Sequence, residues 1–501
     1  MNGTRTSPAV FLRRLPPLAA GIAVLALCLS LNAGGASADM NIYSGGGFTL
    51  DAALTLGAGT FRGDGTRISA NPSWLEFYAE PELRFSYYNT GLGEFYANIG
   101  GIGAATLGDG DANLSSTTSG NPASVAFENA NVGWRSGRLF GDLNTDVLDI
   151  GIGRQAFVVG DGFLIGDGTF DAGRRADYYI GPRVAFDGIG VVRVNTEPVR
   201  GDLFVLRTST DQHVTRGLDQ PQTDFAGGNL EWFESKKGED GRAKYDSRLR
   251  YAGIMGMHVY RADNNDCFSI MNCSDGPAGI TGNANRDGLN VVSARVGGSL
   301  IPMAEDFTFY GEYAFQWNDE VGRRTRANAW YVEPGWTFSN LKYTPRIFYR
   351  YSHFSGDSDP DDNTKRSFDP LFYSSGRGYG TWFLGEIAGQ YFLFNSNDDV
   401  HQVGVSVNPL DELKLSAFYY RFSYAEPKQL GIEASHAMDE VDVVAEWTVN
   451  DRLSVQGVIG AARPGIGAKQ FLSGATAGLD GAPTDFDRTW TLFEATATYK
   501  F

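Results

Sequence analysis

The chain has 501 residues, including 64 Gly, 33 Phe, 23 Tyr and 9 Trp, and 59 acidic against 42 basic side chains give it a formal charge of −17. That balance argues against a nucleic-acid partner, which calls for a basic face. So many aromatics and glycines at a mean hydropathy of −0.24 fit a sheet that alternates oil-facing and water-facing residues better than a helical enzyme.

Residues 1–38 read as a secretory signal. Arg5, Arg13 and Arg14 precede an apolar run over 15–31, and Ala36-Ser37-Ala38 supplies the small-residue cleavage pattern. The remainder, 39–501, reads as one domain without the ~18 to 20 continuous apolar residues of a membrane helix.

Beyond a strand near 47–61, segment 74–87 has the clearest period of two. Leu75, Phe77, Leu83, Phe85 and Tyr87 share one face, and Glu76, Glu80, Glu82 and Arg84 the other. Segments 307–317, 328–338 and 441–449 repeat the pattern. Compact links at 89–93, 196–198, 302–305, 339–341, 408–411 and 449–451, with longer ones at 136–146 and 236–246, alternate with polar links. The polar links fall at 62–72, 108–122, 156–183, 209–224, 262–287, 318–326, 355–395, 426–435 and 463–485. Nine long and eight short connections predict an all-β, antiparallel transmembrane barrel of 18 strands in the cell outer membrane, with short periplasmic turns and long external loops. Segment 381–394 is strand-like, but counting it gives an odd number, so it belongs to a loop expected to enter the mouth. The final strand alternates Phe493, Ala495, Ala497, Tyr499 and Phe501 with polar residues, and its aromatic end resembles the signal read by the barrel assembly machinery. The expected surroundings are outer-membrane lipid, and the expected state is a monomer.

With aromatic faces towards lipid, parity turns Arg193, Arg200, Arg248, Arg250, Arg295, Arg346 and Arg350 into the lumen. On this reading Tyr251, Met255 and Met257 face out, and the lumen is charged rather than filled with apolar side chains. Two interpretations stay open. The arginines pair with inward acids such as Glu76, Glu312, Glu333 and Asp442 and simply pack the interior, or they form a cationic lane that selects anions. A general diffusion or nutrient-uptake porin is the alternative to an anion-selective one.

Cys267 and Cys273 bracket a short polar loop and are expected to form a disulfide. Asp357, Asp359 and Asp361 are a weak calcium candidate without the spacing of an EF-hand loop. No catalytic constellation and no cofactor motif stands out.

Two stretches resemble the alginate export family of outer-membrane porins. The first runs from Gly153-Arg154-Gln155 through Gly160-Asp-Gly-Phe-Leu-Ile-Gly166 and Phe170-Asp-Ala-Gly-Arg174-Arg175 to Ala185-Phe-Asp-Gly-Ile-Gly-Val-Val-Arg193. The second is Ser355-Gly-Asp-Ser-Asp-Pro-Asp-Asp-Asn363 with Phe368-Asp-Pro-Leu-Phe372. The resemblance implies a monomeric 18-stranded barrel whose arginine-lined constriction passes a polyuronate or another anionic saccharide. It places Arg154 in that constriction and puts Arg174 and Arg175 on the path. Arg154 shares parity with Leu148, Ile150 and Ile152, so a bulge at Gly151 or Gly153 has to turn it inward.

Overall fold

The computed structural model describes residues 40–64, 73–108, 121–141, 143, 145–169, 175–177, 179–208, 222–234, 249–262, 286–301, 303–320, 322, 324–374, 384–391, 393 and 395–501 apart from 476–485. Nineteen strands make one sheet. They are β1 (Met40–Gly45), β2 (Phe48–Asp64), β3 (Ser73–Asn89), β4 (Gly93–Gly108), β5 (Ala123–Arg135), β6 (Leu148–Gln155), β7 (Phe186–Asn195), β8 (Val199–Arg207), β9 (Thr223–Phe233) and β10 (Tyr251–Ala262), followed by β11 (Asn290–Gly298), β12 (Phe307–Asn318), β13 (Thr325–Thr337), β14 (Arg346–Phe354), β15 (Asp398–Leu410), β16 (Leu413–Tyr424), β17 (His436–Thr448), β18 (Leu453–Pro464) and β19 (Trp490–Lys500).

From β2 onwards each strand pairs antiparallel with the next, and β19 returns to β2 from Thr491↔Asp64 to Lys500↔Thr55. Eighteen strands thus close a barrel, which leaves no unpaired sheet edge facing hydrocarbon. Short and long connections alternate where the hydropathy pattern puts them. The additional β1 was not legible from that pattern. It pairs with the Phe48–Ala52 part of β2, just past the point where the Phe501 N–H reaches the Leu54 carbonyl at 2.9 Å. It therefore covers the part of β2 that β19 does not reach.

The outer face carries exposed Leu83, Phe85, Phe127, Leu203, Ile254, Tyr313, Val443 and Ile459. The interior departs from expectation, because much of it is packed with apolar side chains. One cluster joins Phe348, Phe418, Tyr420, Phe422, Trp74 and Leu492 to Leu384, Ile387 and Leu393 of the β14–β15 connection. The other joins inward Phe204, Phe225, Met255, Met257, Val291 and Tyr331 to Phe157, Phe163 and Ile165 of the β6–β7 connection. Both connections fold into the barrel. The strand-like segment 381–394 contains a single helical turn, α1 (Ala388–Tyr391), and α2 (Ile466–Ala475) lies in the β18–β19 connection. No helix among the described residues is long and apolar enough to cross a membrane; the strands do the crossing.

Candidate functional site

Three inward carboxylates tie the infolded connections to the wall. Glu76 on β3 accepts the backbone N–H groups of Tyr179 and Ile180 at 3.0 and 3.2 Å. Glu128 on β5 accepts those of Val184 and Ala185 at 2.8 and 2.7 Å. Glu440 on β17 accepts those of Ile387 and Ala388 at 2.6 and 2.8 Å. Loop backbone drawn into a barrel loses water, and a carboxylate offering several lone pairs meets two adjacent N–H groups at once. The two connections also join each other. Gly166 and Asp167 donate to the Phe372 carbonyl at 2.8 and 2.9 Å, and Phe372 donates to Leu164 at 3.0 Å. Together they form a plug.

Two further buried arginines hold that plug. Arg183 donates to the Ala176 and Arg175 carbonyls at 2.6 and 2.9 Å. Arg286, in the β10–β11 connection, makes a bidentate bond to Asp369 at 2.7 Å on each arm and stacks over Phe372 at 5.0 Å. Strand parity could not have found either residue, because both lie in connections. Burial raises the Asp369 carboxyl, but the adjacent Arg286 charge and its hydrogen bonds outweigh burial and hold it below the usual range. Asp177 differs. Burial first, then the nearby Glu76 charge, push its carboxyl up to about 8.

Around the wall, arginines and acids alternate in a belt. Asp149 lies 3.7 Å from Arg135 and 3.6 Å from Arg193. Asp202 lies 3.4 Å from Arg193 and 3.3 Å from Arg200. Asn229 bridges Asp202 to Arg295, at 3.0 and 2.6 Å, and Arg295 approaches Glu231 at 3.7 Å. Glu333 takes Arg346 at 2.9 Å and also Arg350, and Arg350 donates on to Gln402 at 3.1 Å. Cross-strand registry builds this belt; Arg193 faces Asp202, and Arg295 faces Glu312. On the opposite side β17 and β19 present Glu440, Asp442 and Glu494, so the charge of the lumen is asymmetric.

Arg193, Arg200, Arg295, Arg346 and Arg350 thus stand on the inner side, each with an acid close by. Arg154 does too. The β6–β7 register shifts between Gly153 and Gln155, Gly153 adopts φ +126°, and the Arg154 guanidinium meets Asp187 and, at 3.5 Å, Glu128. The bulge that its parity demanded is present. Arg175 lies in the infolded connection, where its carbonyl receives Arg183.

On β10 the expected orientation is reversed. Tyr251, Met255 and Met257 are buried inside, while Ile254 and Tyr260 are exposed outside. The cause is the plug, which makes the facing wall apolar, so the oilier side of this strand turns inward. Arg250 stands just before the strand with the parity of the outer side, and bonds Glu234 at 2.8 Å; it is not in the inner row.

The calcium candidate does not assemble. Asp357 receives Arg366 at 3.4 Å and Asp362 receives it at 2.7 Å. Among the described residues no three His, Cys, Asp or Glu side chains converge in a metal-holding arrangement. Arg174, Arg248, Cys267 and Cys273 lie outside the described residues, as does the 1–38 segment.

A closed antiparallel barrel with an apolar outer belt and charged groups inside defines an outer-membrane porin. The sequence model for "Alginate export" matches residues 109–465, and the chain belongs to the alginate export family. No curated protein sequence matches the chain significantly. Solved structures similar to it include Pseudomonas aeruginosa OccK5 (OpdH), at 9% identity and TM-score 0.49 over 89% of this chain and 97% of that one. P. aeruginosa OpdK with vanillate is similar at 13% identity and TM-score 0.49, covering 89% and 98%. P. aeruginosa OccD3 (OpdP) is similar at 10% identity and TM-score 0.48, covering 93% of each chain.

Proposed function

We propose that this porin passes anionic, uronate-type saccharides along the arginine-bearing side of its lumen. The observation that carries the reading is the inner-wall run of Arg193, Arg200, Arg295, Arg346 and Arg350 across β7–β14, in a chain of the alginate export family. A guanidinium has five donors in a planar fork and a carboxylate partner uses two, so a passing uronate can bond to the same arginine as the wall acid does. Exchange between wall and cargo carboxylates keeps each contact weak, which a pore needs for release. The plug has to yield for passage. Gly160 lies against Arg295, so closely that an added Cβ would come within 2.7 Å of Nε. The barrel acts as a monomer inserted by the barrel assembly machinery, and no cofactor enters the process.

The test is single-channel recording in planar bilayers. Anions should be preferred, and oligouronates should block the current more strongly than neutral oligosaccharides of equal length. A cation preference together with equal block would remove the uronate reading. The second reading, a general diffusion porin for small solutes, is favoured by one observation: each of these arginines has a carboxylate within 4.0 Å.

A further inference from the structure

We propose that Tyr251, Tyr331 and Arg295 form a carboxylate-binding site on the inner wall, filled in the closed channel by Asp161 of the plug and vacated when a uronate of the cargo takes its place. This deepens the uronate reading and rests on it. Asp161 Oδ2 accepts the hydroxyls of Tyr251 on β10 and Tyr331 on β13, at 3.2 and 2.9 Å. These strands are not neighbours in the sheet, yet their phenols converge on one oxygen carried by the β6–β7 connection. Gly160 and Gly162 flank that residue with φ of +58° and +78°, a left-handed backbone that suits glycine, and the tight loop they make holds the carboxylate against the wall.

Arg295 completes the site. Registry sets it one step from Tyr251, since Gly253 lies opposite Arg295 and Tyr251 opposite Gly297. Its side chain is 1% exposed, and its guanidinium lies between two glycines. A Cβ on Gly253 would come within 2.7 Å of Cζ, and one on Gly160 within 2.7 Å of Nε. Nη2 donates to Asn229 at 2.6 Å, whereas Nε and Nη1 have no hydrogen-bond partner among the described residues. Buried donors left unmet destabilise, and here plug backbone covers them. With the plug withdrawn they join the two phenols, a fork and two hydroxyls set for one carboxylate. Glu231 at 3.7 Å and Glu312 opposite in register already attend Arg295, so a further carboxylate enters by exchange with Asp161 and not by addition.

The plug also copies the second feature of a uronate. Two residues on, Phe163 packs edge-to-face against Tyr331 with ring centroids 5.5 Å apart, so a carboxylate and an apolar ring enter the site together. A pyranose bearing a carboxylate offers the same pair, with the C–H face of the sugar in place of the Phe163 ring. Acetate would supply only the charge, and a neutral sugar only the face. Docked plug and bound cargo therefore exclude each other.

The test combines half-blocking concentrations in planar bilayers with hydrogen exchange on the full barrel in detergent, using tetragalacturonate, neutral cellotetraose and acetate as probes. Tetragalacturonate should speed exchange across 157–165, and the other two should not. Asp161→Asn should speed it without ligand and lower the half-blocking concentration of tetragalacturonate about tenfold, since less of the protein is held closed. Tyr251→Phe combined with Tyr331→Phe should also free the segment but raise that concentration about tenfold, the equivalent of ~1.4 kcal/mol. Tyrosines that only anchored the plug would make both variants strengthen block alike, and that result would overturn the proposal. Unchanged or slower exchange at 157–165 with tetragalacturonate would overturn it too. The uronate reading fails separately. If the wild type is blocked equally by tetragalacturonate and cellotetraose, that reading falls and this site with it; if the wild type discriminates but the variants shift together, only the site is lost.

Discussion

Arg286 and Asp369 meet in a bidentate bond inside the barrel, 2.7 Å on each arm, although 83 residues separate them in sequence. The pair joins the β10–β11 connection to the β14–β15 connection. Gln316 on β12 extends it, donating to the Asp369 carbonyl at 2.7 Å and accepting its N–H at 2.9 Å. The Arg286 and Asp369 side chains are 1% and 8% exposed, so neither charge has water to fall back on if the other is removed.

Arg286→Ala should therefore release the plug locally, at a cost of ~3–5 kcal/mol for an uncompensated buried charge. The barrel ladder itself should persist. Single-channel current should become larger and noisier, and limited proteolysis should cut within 355–374 sooner. Replacing both partners together, with Arg286→Met and Asp369→Leu, should restore a quiet channel, because the loss comes from the unpaired charge. Acidification acts in the same direction. The Asp369 carboxyl is held below its usual range, so its share of plug stability is present above the unfolded value and lost as pH falls through the folded one.

Asp177 gives the opposite sign. Its carboxyl is raised to about 8, by burial first and then by Glu76, so its docked state holds a proton that the undocked state releases near 3.8. Docking of the 175–185 segment should be strongest below pH ~4 and weaken as pH rises towards ~8. Hydrogen exchange at Phe77 N–H, which donates to Asp177 at 3.1 Å, should report this after correction for intrinsic exchange. Asp177→Asn should remove the pH dependence between these limits; an unchanged profile in that variant would assign it to another group.

The strands, the turn lengths and the closure were legible because a single physical pattern writes them, the alternation of oil and water across a membrane sheet. The interior was harder to read. On β10 the rule that the oilier face meets lipid failed, since Met255 and Met257 pack against a plug that comes from the distant 157–165 segment. Glu76 looked like a lumen charge and proves to be an acceptor for loop backbone. Arg193, Arg295 and Arg350 were placed on the inner side by parity alone, but parity carries no information about the acid opposite each one. That depends on register, which turn geometry and the whole sheet set together.

Gly153 is the position at which local backbone decides a functional side chain. Its φ of +126° suits glycine, and a Cβ there would lie 2.3 Å from the Ala130 carbonyl oxygen. Gly153→Ala should cost on the order of 1–3 kcal/mol locally and swing Arg154 away from Asp187 and Glu128. Glu128 would keep its bonds to Val184 and Ala185. The expected result is a normally assembled barrel, shown by unchanged heat-modifiable gel mobility, with a lowered anion preference. A loss of assembly would mean that the bulge serves the sheet first.

Glu333 offers the sharpest separation of the two permeation readings, because it holds both Arg346 and Arg350 and is itself buried. Glu333→Gln keeps the shape, removes one negative charge and frees guanidinium donors towards the lumen. If these arginines select cargo, the reversal potential in a salt gradient should move towards anions, and oligouronate block should strengthen by roughly 5- to 30-fold, the equivalent of ~1–2 kcal/mol. Arg346→Glu should do the reverse, placing like charges together and favouring cations. Arg346→Lys should keep the sign of the selectivity and lose block, since an ammonium lacks the planar fork. Raising salt to about 1 M should diminish all of these differences, as screening shortens to ~3 Å. A Glu333→Gln channel that conducts and blocks as the wild type does would mean that the ion pairs are wall packing alone, and the general diffusion porin would be the better description.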